Sequence, residues 1–269
     1  MSKHPFRTAI ENNAGQDELV GLLAPEVVLM APMLSKPVTG AERVANVLAC
    51  AAQVAAPIEY TLEVADPRQT FLMWNGHAHG FDLQAVTILV DDSDGLIQEI
   101  RVLMRPWPVV TLFRDDMYKL LADVIPHDHW ELQPKPGPAG PRHFTPIALR
   151  PVDPAPDMVL HSPMLAKSVQ GKAEVTEAVR IAHEVQSASS YTSIVATPDL
   201  LIELFDCDAD GYPMEGMWVQ TLNPDGLVSG LSVYLRPYPA VTVLRNQARQ
   251  IAGQGGFLSE DEYWELPKS

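Results

Sequence analysis

Residues Pro25 to Gly40 read PEVVLMAPMLSKPVTG, and Pro156 to Gly171 read PDMVLHSPMLAKSVQG. The second phrase begins 131 residues after the first. The same spacing, without a gap, pairs Asp94 to Arg114 (DGLIQEIRVLMRPWPVVTLFR) with Asp225 to Arg245 (DGLVSGLSVYLRPYPAVTVLR). Two stretches recurring in the same order at one offset mean that one fold is written twice. Length agrees, since 269 residues is about two domains at roughly 100–200 residues each. The expected domains are 1–132 and 156–269, joined by a Pro/Gly-rich linker over 133–155.

Composition bounds the partners. Hydrophobic residues make up 46% of the chain, enough to fill two compact cores. The formal net charge is −15, with 19 Lys and Arg against 34 Asp and Glu and no basic run. Binding a duplex requires cations that neutralise phosphates, so neither nucleic acid nor an anionic membrane is an expected partner. Cys50 and Cys207 supply no disulfide framework and no metal-type spacing. Cys50, in ANVLACAAQV, reads as a buried small hydrophobe. MSKHPFRTAIENN has no apolar stretch suited to a signal peptide, and no run approaches the ~18 apolar residues of a membrane span. A soluble cytoplasmic protein is expected.

Taken in order, residues 6–23 read as two short helices, the second with Asp17 at its N-cap. EVVLMAP is an apolar strand closed by Pro32. Thr39 stands three residues before Glu42, the spacing of a capping box, and opens a helix whose apolar face carries Val44, Val47 and Leu48. IEYTLEVAD and QTFLMW are strand-like. Asn75-Gly76 is a hairpin signal. HAHGFDLQAVTILV is a long strand with a bend at Gly80, and LIQEIRVLMR is the next. Pro108 suits the first turn of the helix that follows. The second copy repeats the scheme from Pro156. HWEL (His129 to Leu132) and YWEL (Tyr263 to Leu266) end the copies as short tails that each pack a Trp. GPAGPRHFTPIALRPVDPA, which matches the first helix pair, places prolines where an α-helix cannot accept them. The second copy is therefore expected to lack that pair.

A unit of about 130 residues with N-terminal helices and then a mostly antiparallel strand run resembles the nuclear transport factor 2-like superfamily. VVLMAPMLSKPVTG and VLHSPMLAKSVQG, and an acidic Gly turn leading to a strand that ends Arg-Pro, are similar to its SnoaL-like branch. The resemblance implies an α+β fold: two tandem cone-shaped barrels, each a curved, mostly antiparallel sheet around helices with an apolar pocket at the open end. Members include isomerases, dehydratases and polyketide cyclases, and commonly dimerise through the sheet. A tandem copy would then form an intramolecular pseudo-dimer, compatible with a monomer in solution. Fold analogy does not deliver an activity.

The repeat also sorts residues. One identical in both copies serves the fold more readily; a polar residue in one copy only points to a site. Lys36/Lys167, Tyr60/Tyr191, Arg105/Arg236 and Gly40/Gly171 fall in the first class, the arginines as strand-closing salt-bridge partners. His161 stands where the first copy has Met30. The resemblance places the catalytic carboxylate of ketosteroid isomerase-like relatives at Ala31 and Ser162, which argues against proton abstraction by that route. His161 remains a candidate general base, with Tyr191 as its partner; their meeting in one cavity within hydrogen-bond reach is the test. The candidate ligand-binding set is Met30, Met33, Leu34, Tyr60, Trp74, Met164, Leu165 and Trp218, with methionines supplying an adaptable rim around Met33 and Met164; Met217 belongs to the same apolar group. His77, His79, His127 and His129 are an N-rich set, but Asn75-Gly76 places the first two at a hairpin end, so no metal is expected. Asp206, Asp208, Asp210 and Gly211 begin like a calcium loop, yet the twelfth position is Met217 rather than Glu and the flanks are strands, which makes an acidic hairpin. No triad order and no phosphate loop is present, and no cofactor is expected. The leading expectation is a pocket protein for a small apolar or aromatic metabolite. An acid–base enzyme on such a compound (cyclase, dehydratase or isomerase-like) and a non-catalytic structural or interaction module stand as alternatives.

Overall fold

The computed structural model describes residues 3–135 and 153–267. The chain divides into two compact units, Met1–Met104 with Val109–Glu131, and Arg105–Pro108 with Leu132–Ser269. The proposed loss of the helix pair from the second copy falls on 136–152, outside the described residues.

The first unit runs α1 (Pro5–Glu11), α2 (Gln16–Val20), β1 (Leu23–Met30), β2 (Val38–Thr39), α3 (Ala41–Val54), β3 (Glu59–Ala65), β4 (Thr70–Ala78), β5 (Phe81–Asp91), β6 (Ile97–Arg105) and α4 (Trp107–Leu121). Its sheet has the order β3-β4-β5-β6, with β1 parallel to β6 and β2 antiparallel to β1. The second unit runs β7 (Pro154–His161), β8 (Val169–Gln170), α5 (Lys172–Val185), β9 (Gln186–Ala196), β10 (Leu200–Ala209), β11 (Tyr212–Leu222), β12 (Val228–Arg236), α6 (Tyr238–Gly255) and α7 (Asp261–Trp264). Its sheet has the order β12-β11-β10-β9, with β7 parallel to β12 and β8 antiparallel to β7. The bounds of β1, β2, α3 and β6 recur in β7, β8, α5 and β12 at the 131-residue offset. Both units are α+β, with helices packed on a mostly antiparallel sheet.

Local chemistry explains the shared geometry. An extra residue bulges each outer strand at the same place, Thr61 on β3 and Thr192 on β9. Each hydroxyl donates across to the neighbouring strand, to the Met73 and Leu204 carbonyls, both at 3.3 Å. A bulge bends its strand and raises the twist, which turns one face of each sheet inward. α3 buries Val44, Val47 and Leu48 against that face.

Four local expectations change. Thr39 is not the N-cap of α3. It pairs with Val28 in the β1–β2 ladder, so Gly40, at φ 91°, takes the cap position, and no side chain caps the helix. Likewise Gly15, rather than Asp17, caps α2. The hairpin turns at His79-Gly80, both with positive φ (53° and 82°), and the second unit turns at Asp210-Gly211 in the same way. That is the pattern of a two-residue turn matched to strand twist. Asn75-Gly76 sits inside β4, where a Cβ on Gly76 would come 2.6 Å from the Ala55 carbonyl oxygen. Glycine is there for close approach to the end of α3 rather than for turning. Cys50 is half-buried rather than buried.

The tails fold back within each unit. Trp130 and Trp264 are both buried. Arg114 donates to the Trp130 carbonyl at 2.9 Å, and Arg245 to the Trp264 carbonyl at 2.5 Å. Lys36 pairs with Asp128 and Lys167 with Glu262, so the repeated lysines fasten tails. Arg236 pairs with Glu215 at 2.9 Å. Among the described residues no helix is long and apolar enough to cross a membrane.

Candidate functional site

Each unit holds a partly open cavity of about 50 Å³ between its helices and the inner face of its sheet. In the first, Leu29 of β1 faces inward, and Ala31 and Met33 follow from the loop after it. Trp74 and Tyr60 form the sheet side, and Phe6 and Ile10 of α1 contribute from the N-terminal helix. Thr87 is the polar exception, and its hydroxyl accepts from Trp74 Nε1 at 3.0 Å. Burial pushes the Tyr60 phenol above its ordinary range.

The second cavity is built in part from equivalent positions: Leu160, Met164, Ala182 and Trp218 stand where the first has Leu29, Met33, Ala51 and Thr87, and Leu165 and Trp264 join its wall although Leu34 and Trp130 stay out of the first. Its large indole has changed strands. The first unit has Trp74 on β4 beside Thr87 on β5; the second has Phe205 on β10 and Trp218 on β11 at those positions. The Phe205 and Trp218 rings meet edge to face at 5.9 Å, so the bulk is kept while the hydrogen bond is lost.

Of the residues expected in a pocket, Met33, Tyr60, Trp74, Met164, Leu165 and Trp218 line the two cavities. Met30 and Leu34 do not. Met30 follows Leu29 on β1 and therefore leaves the opposite face, while Leu34 is buried elsewhere in the core. His161 has the place of Met30 on β7 and likewise lies outside the wall. Its Nδ1 stands 2.7 Å from the Ser168 hydroxyl, and burial pulls its pKa down. Tyr191 packs edge-on against Phe205 at 6.4 Å and also lies outside the wall. The two were expected to meet in one cavity; they do not share this one. His79 bonds Asp116 at 2.7 Å, His77 faces Asp82 and His127 faces Glu131. Among the described residues no group of three or more His, Cys, Asp or Glu stands close enough to hold a metal ion.

No protein-family model and no curated protein matches the sequence. Among solved structures, several are similar to part of this chain. One is an uncharacterised protein with a cystatin-like fold from Silicibacter pomeroyi DSS-3, 27% identical, covering 45% of this chain and 88% of that one, with a TM-score of 0.42. A second is a steroid delta-isomerase from Pseudomonas aeruginosa, 26% identical, covering 44% and 87%, with a TM-score of 0.42. A nuclear transport factor 2-like protein of unknown function from Burkholderia xenovorans LB400 is 10% identical, covering 36% and 74%, with a TM-score of 0.32. Each match spans less than half of this chain.

The two units differ in the polarity of the inner face. The second cavity carries Ser162, His183 and Gln186, where the first copy has Ala31, Ala52 and Ala55. The His183 ring stacks on Trp218 at 6.0 Å. On the strands beyond, Glu203 and Gln220 replace Leu72 and Leu89. Glu203 is 1% exposed. Its Oε2 accepts from Gln220 Nε2 at 2.6 Å, and its Oε1 has no hydrogen-bond partner among the described residues. Glu203 is the direct cross-strand partner of Trp218, so both side chains leave the sheet on one face. The one-copy-polar rule that singled out His161 would have marked all five positions. Burial, which the rule cannot see, sets Glu203 apart.

Burial pushes the Glu203 carboxyl above its ordinary value, with the Gln220 hydrogen bond pulling the other way. A raised folded pKa means that the stability Glu203 contributes is full below the unfolded value of 4.5 and is lost as pH rises through the folded value. Glu203→Gln removes the ionisation and keeps an acceptor for Gln220. Thermal melts are expected to show the variant above wild type by about 3–6 °C at pH 8 and level with it at pH 4. A difference that does not change with pH would mean that Glu203 titrates normally.

Proposed function

We propose that this chain is a tandem pocket protein in which each unit binds a small apolar or aromatic molecule, without an acid–base pair of its own in the first unit. The observation that supports this reading is the pair of almost wholly apolar cavities at equivalent places in the repeat. Ligand pockets are of this kind, apolar walls with few polar groups. At about 50 Å³, each is smaller than the ~150 Å³ that holds a benzene. Occupancy therefore requires side chains to move, and Met33 and Met164, unbranched and adaptable, are the wall residues suited to it. Having two copies in one chain supports a monomer in solution, as a pseudo-dimer that needs no second subunit.

Native mass spectrometry of freshly purified protein tests both points. The expected result is a monomer carrying a small-molecule adduct that disappears on denaturation. Toluene is then expected to raise the melting temperature, since a ligand that binds only the folded state stabilises it. Ala51 and Ala182 are equivalent helix residues that line the two cavities. The double variant Ala51→Leu/Ala182→Leu should fold, fill the space and abolish the toluene effect. No adduct, together with toluene shifts that are absent or the same in the variant, would leave the cavities as packing voids and favour an interaction module.

A further inference from the structure

Glu203 calls for a chemical explanation beyond packing. A carboxyl group buried to this degree is ordinarily paired or fully hydrogen-bonded, because desolvating it is costly. Here Gln220 satisfies one oxygen at 2.6 Å, and the other has no partner among the described residues. Neither group has a counterpart in the first unit, where Leu72 and Leu89 are fully buried. The second unit thus carries an acid, and the amide that orients it, at two neighbouring positions where the first packs apolar side chains. Around the acid the inner face is aromatic. Trp218 is its direct cross-strand partner, Phe205 meets Trp218 at 5.9 Å, and Tyr191 meets Phe205 at 6.4 Å. Trp218 is shared with the cavity wall, while Glu203, Gln220, Phe205 and Tyr191 stand beyond it, so a ligand in the cavity meets the carboxylate past the edge of the Trp218 ring. Aromatic faces attract cations, and a carboxylate bonded to an ammonium is the stronger, charge-assisted kind of contact. The chain's net charge of −15 also favours cationic over anionic ligands.

We propose that Glu203, oriented by Gln220, anchors the protonated amine of a small aromatic amine whose ring enters the second unit's cavity beside Trp218. This rests on the pocket reading above and narrows it: the first unit takes an uncharged apolar molecule, and the second takes an amine. The ammonium supplies a donor to Oε1 and the counter-charge that burial otherwise denies the carboxylate. Raised stability of Glu203→Gln at pH 8 would then be the stability cost of a binding group.

The test is calorimetric titration at pH 7 of the full chain with benzylamine, a cation at that pH, and with benzyl alcohol, its neutral analogue of nearly equal shape. Wild type is expected to bind benzylamine at least about tenfold more tightly. Glu203→Gln, and Glu203→Leu, which restores the first unit's residue, should bring benzylamine down to the level of the alcohol. Circular dichroism checks that both variants are folded, and the second variant serves if the first is not. Equal affinities in wild type, or an amine preference that survives in either folded variant, would overturn the Glu203 assignment while leaving the pocket reading standing. Binding of neither probe would overturn both.

Discussion

Trp264→Ala should destabilise the second unit by about 3–5 kcal/mol, the usual cost of deleting a buried tryptophan, and should also create a benzene site. Trp264 is 3% exposed and forms part of the second cavity's wall. Its indole Nε1 donates to the Leu258 carbonyl at 2.7 Å, so truncation leaves that carbonyl without its donor as well as opening space. Removing the ring merges its volume with a cavity already lined by Leu, Ala and Phe. An apolar cavity enlarged in this way stays dry and accepts apolar guests. Benzene at a hundred times its dissociation constant would restore about 2.7 kcal/mol. Melts with and without benzene measure both effects. The control is Trp130→Ala at the equivalent tail of the first unit. Trp130 is equally buried but lies outside the first cavity's wall. It should cost a similar amount of stability with no gain in benzene response. Equal benzene responses in the two variants would show that the cavity is not where it is placed here.

Arg245→Ala should cost about 3 kcal/mol, from two buried carbonyls losing donors at roughly 1–3 kcal/mol each and from lost packing of the side-chain stem. Arg245 reaches the Met164 carbonyl at 3.3 Å, the Trp264 carbonyl at 2.5 Å and the Glu265 carboxylate at 3.0 Å. It thus joins the loop after β7 to the tail. Arg245→Lys should recover little, because one ammonium cannot span a fork of acceptors. Arg114 is its repeat counterpart, but with a side chain 23% exposed against 5% for Arg245. Arg114→Ala should therefore cost less than half as much, since water can replace its contacts. Denaturant titration of the three variants decides this. Equal costs for the two alanine variants would mean that burial is not what makes Arg245 important.

The two stretches at a 131-residue offset were enough to place β1 and β6 and their counterparts, because a repeated phrase must fold in the same way under the same packing; α3 followed from its apolar spacing, and β2 was missed, since a two-residue strand at Val38–Thr39 has no alternation to read. What misled the reading was turn chemistry. Asn75-Gly76 carries the ordinary hairpin signature, yet His79-Gly80 makes the turn. A histidine tolerates positive φ without announcing it, and Gly76 is required by the Ala55 carbonyl, which lies distant in sequence.

The candidate site was less legible. Met33, Tyr60, Trp74, Met164, Leu165 and Trp218 were recognisable as large apolar or aromatic residues near the repeated loop. Met30 was drawn in by proximity and His161 by being polar in one copy only, and strand alternation sends both to the other face. Phe6 and Ile10 come from a helix that nothing in the sequence ties to β4. His183 and Gln186 sit on a helix pattern that reads as solvent-facing. Glu203 lies in LLIELFD, a run buried almost throughout on both faces, so no alternation of polar and apolar residues tells which way its side chain points.

The sequence by itself determined the duplication, the class of fold, the acidic surface and the absence of a recognised catalytic motif. These are properties of composition and of pattern along the chain. Which face of β1 and β7 looks into a cavity, which of two arginines is buried, and that one glutamate lies in the interior with an unpaired oxygen were decided only in three dimensions. Burial and hydrogen-bond satisfaction depend on neighbours brought in from other strands and helices, and no local stretch of sequence contains them.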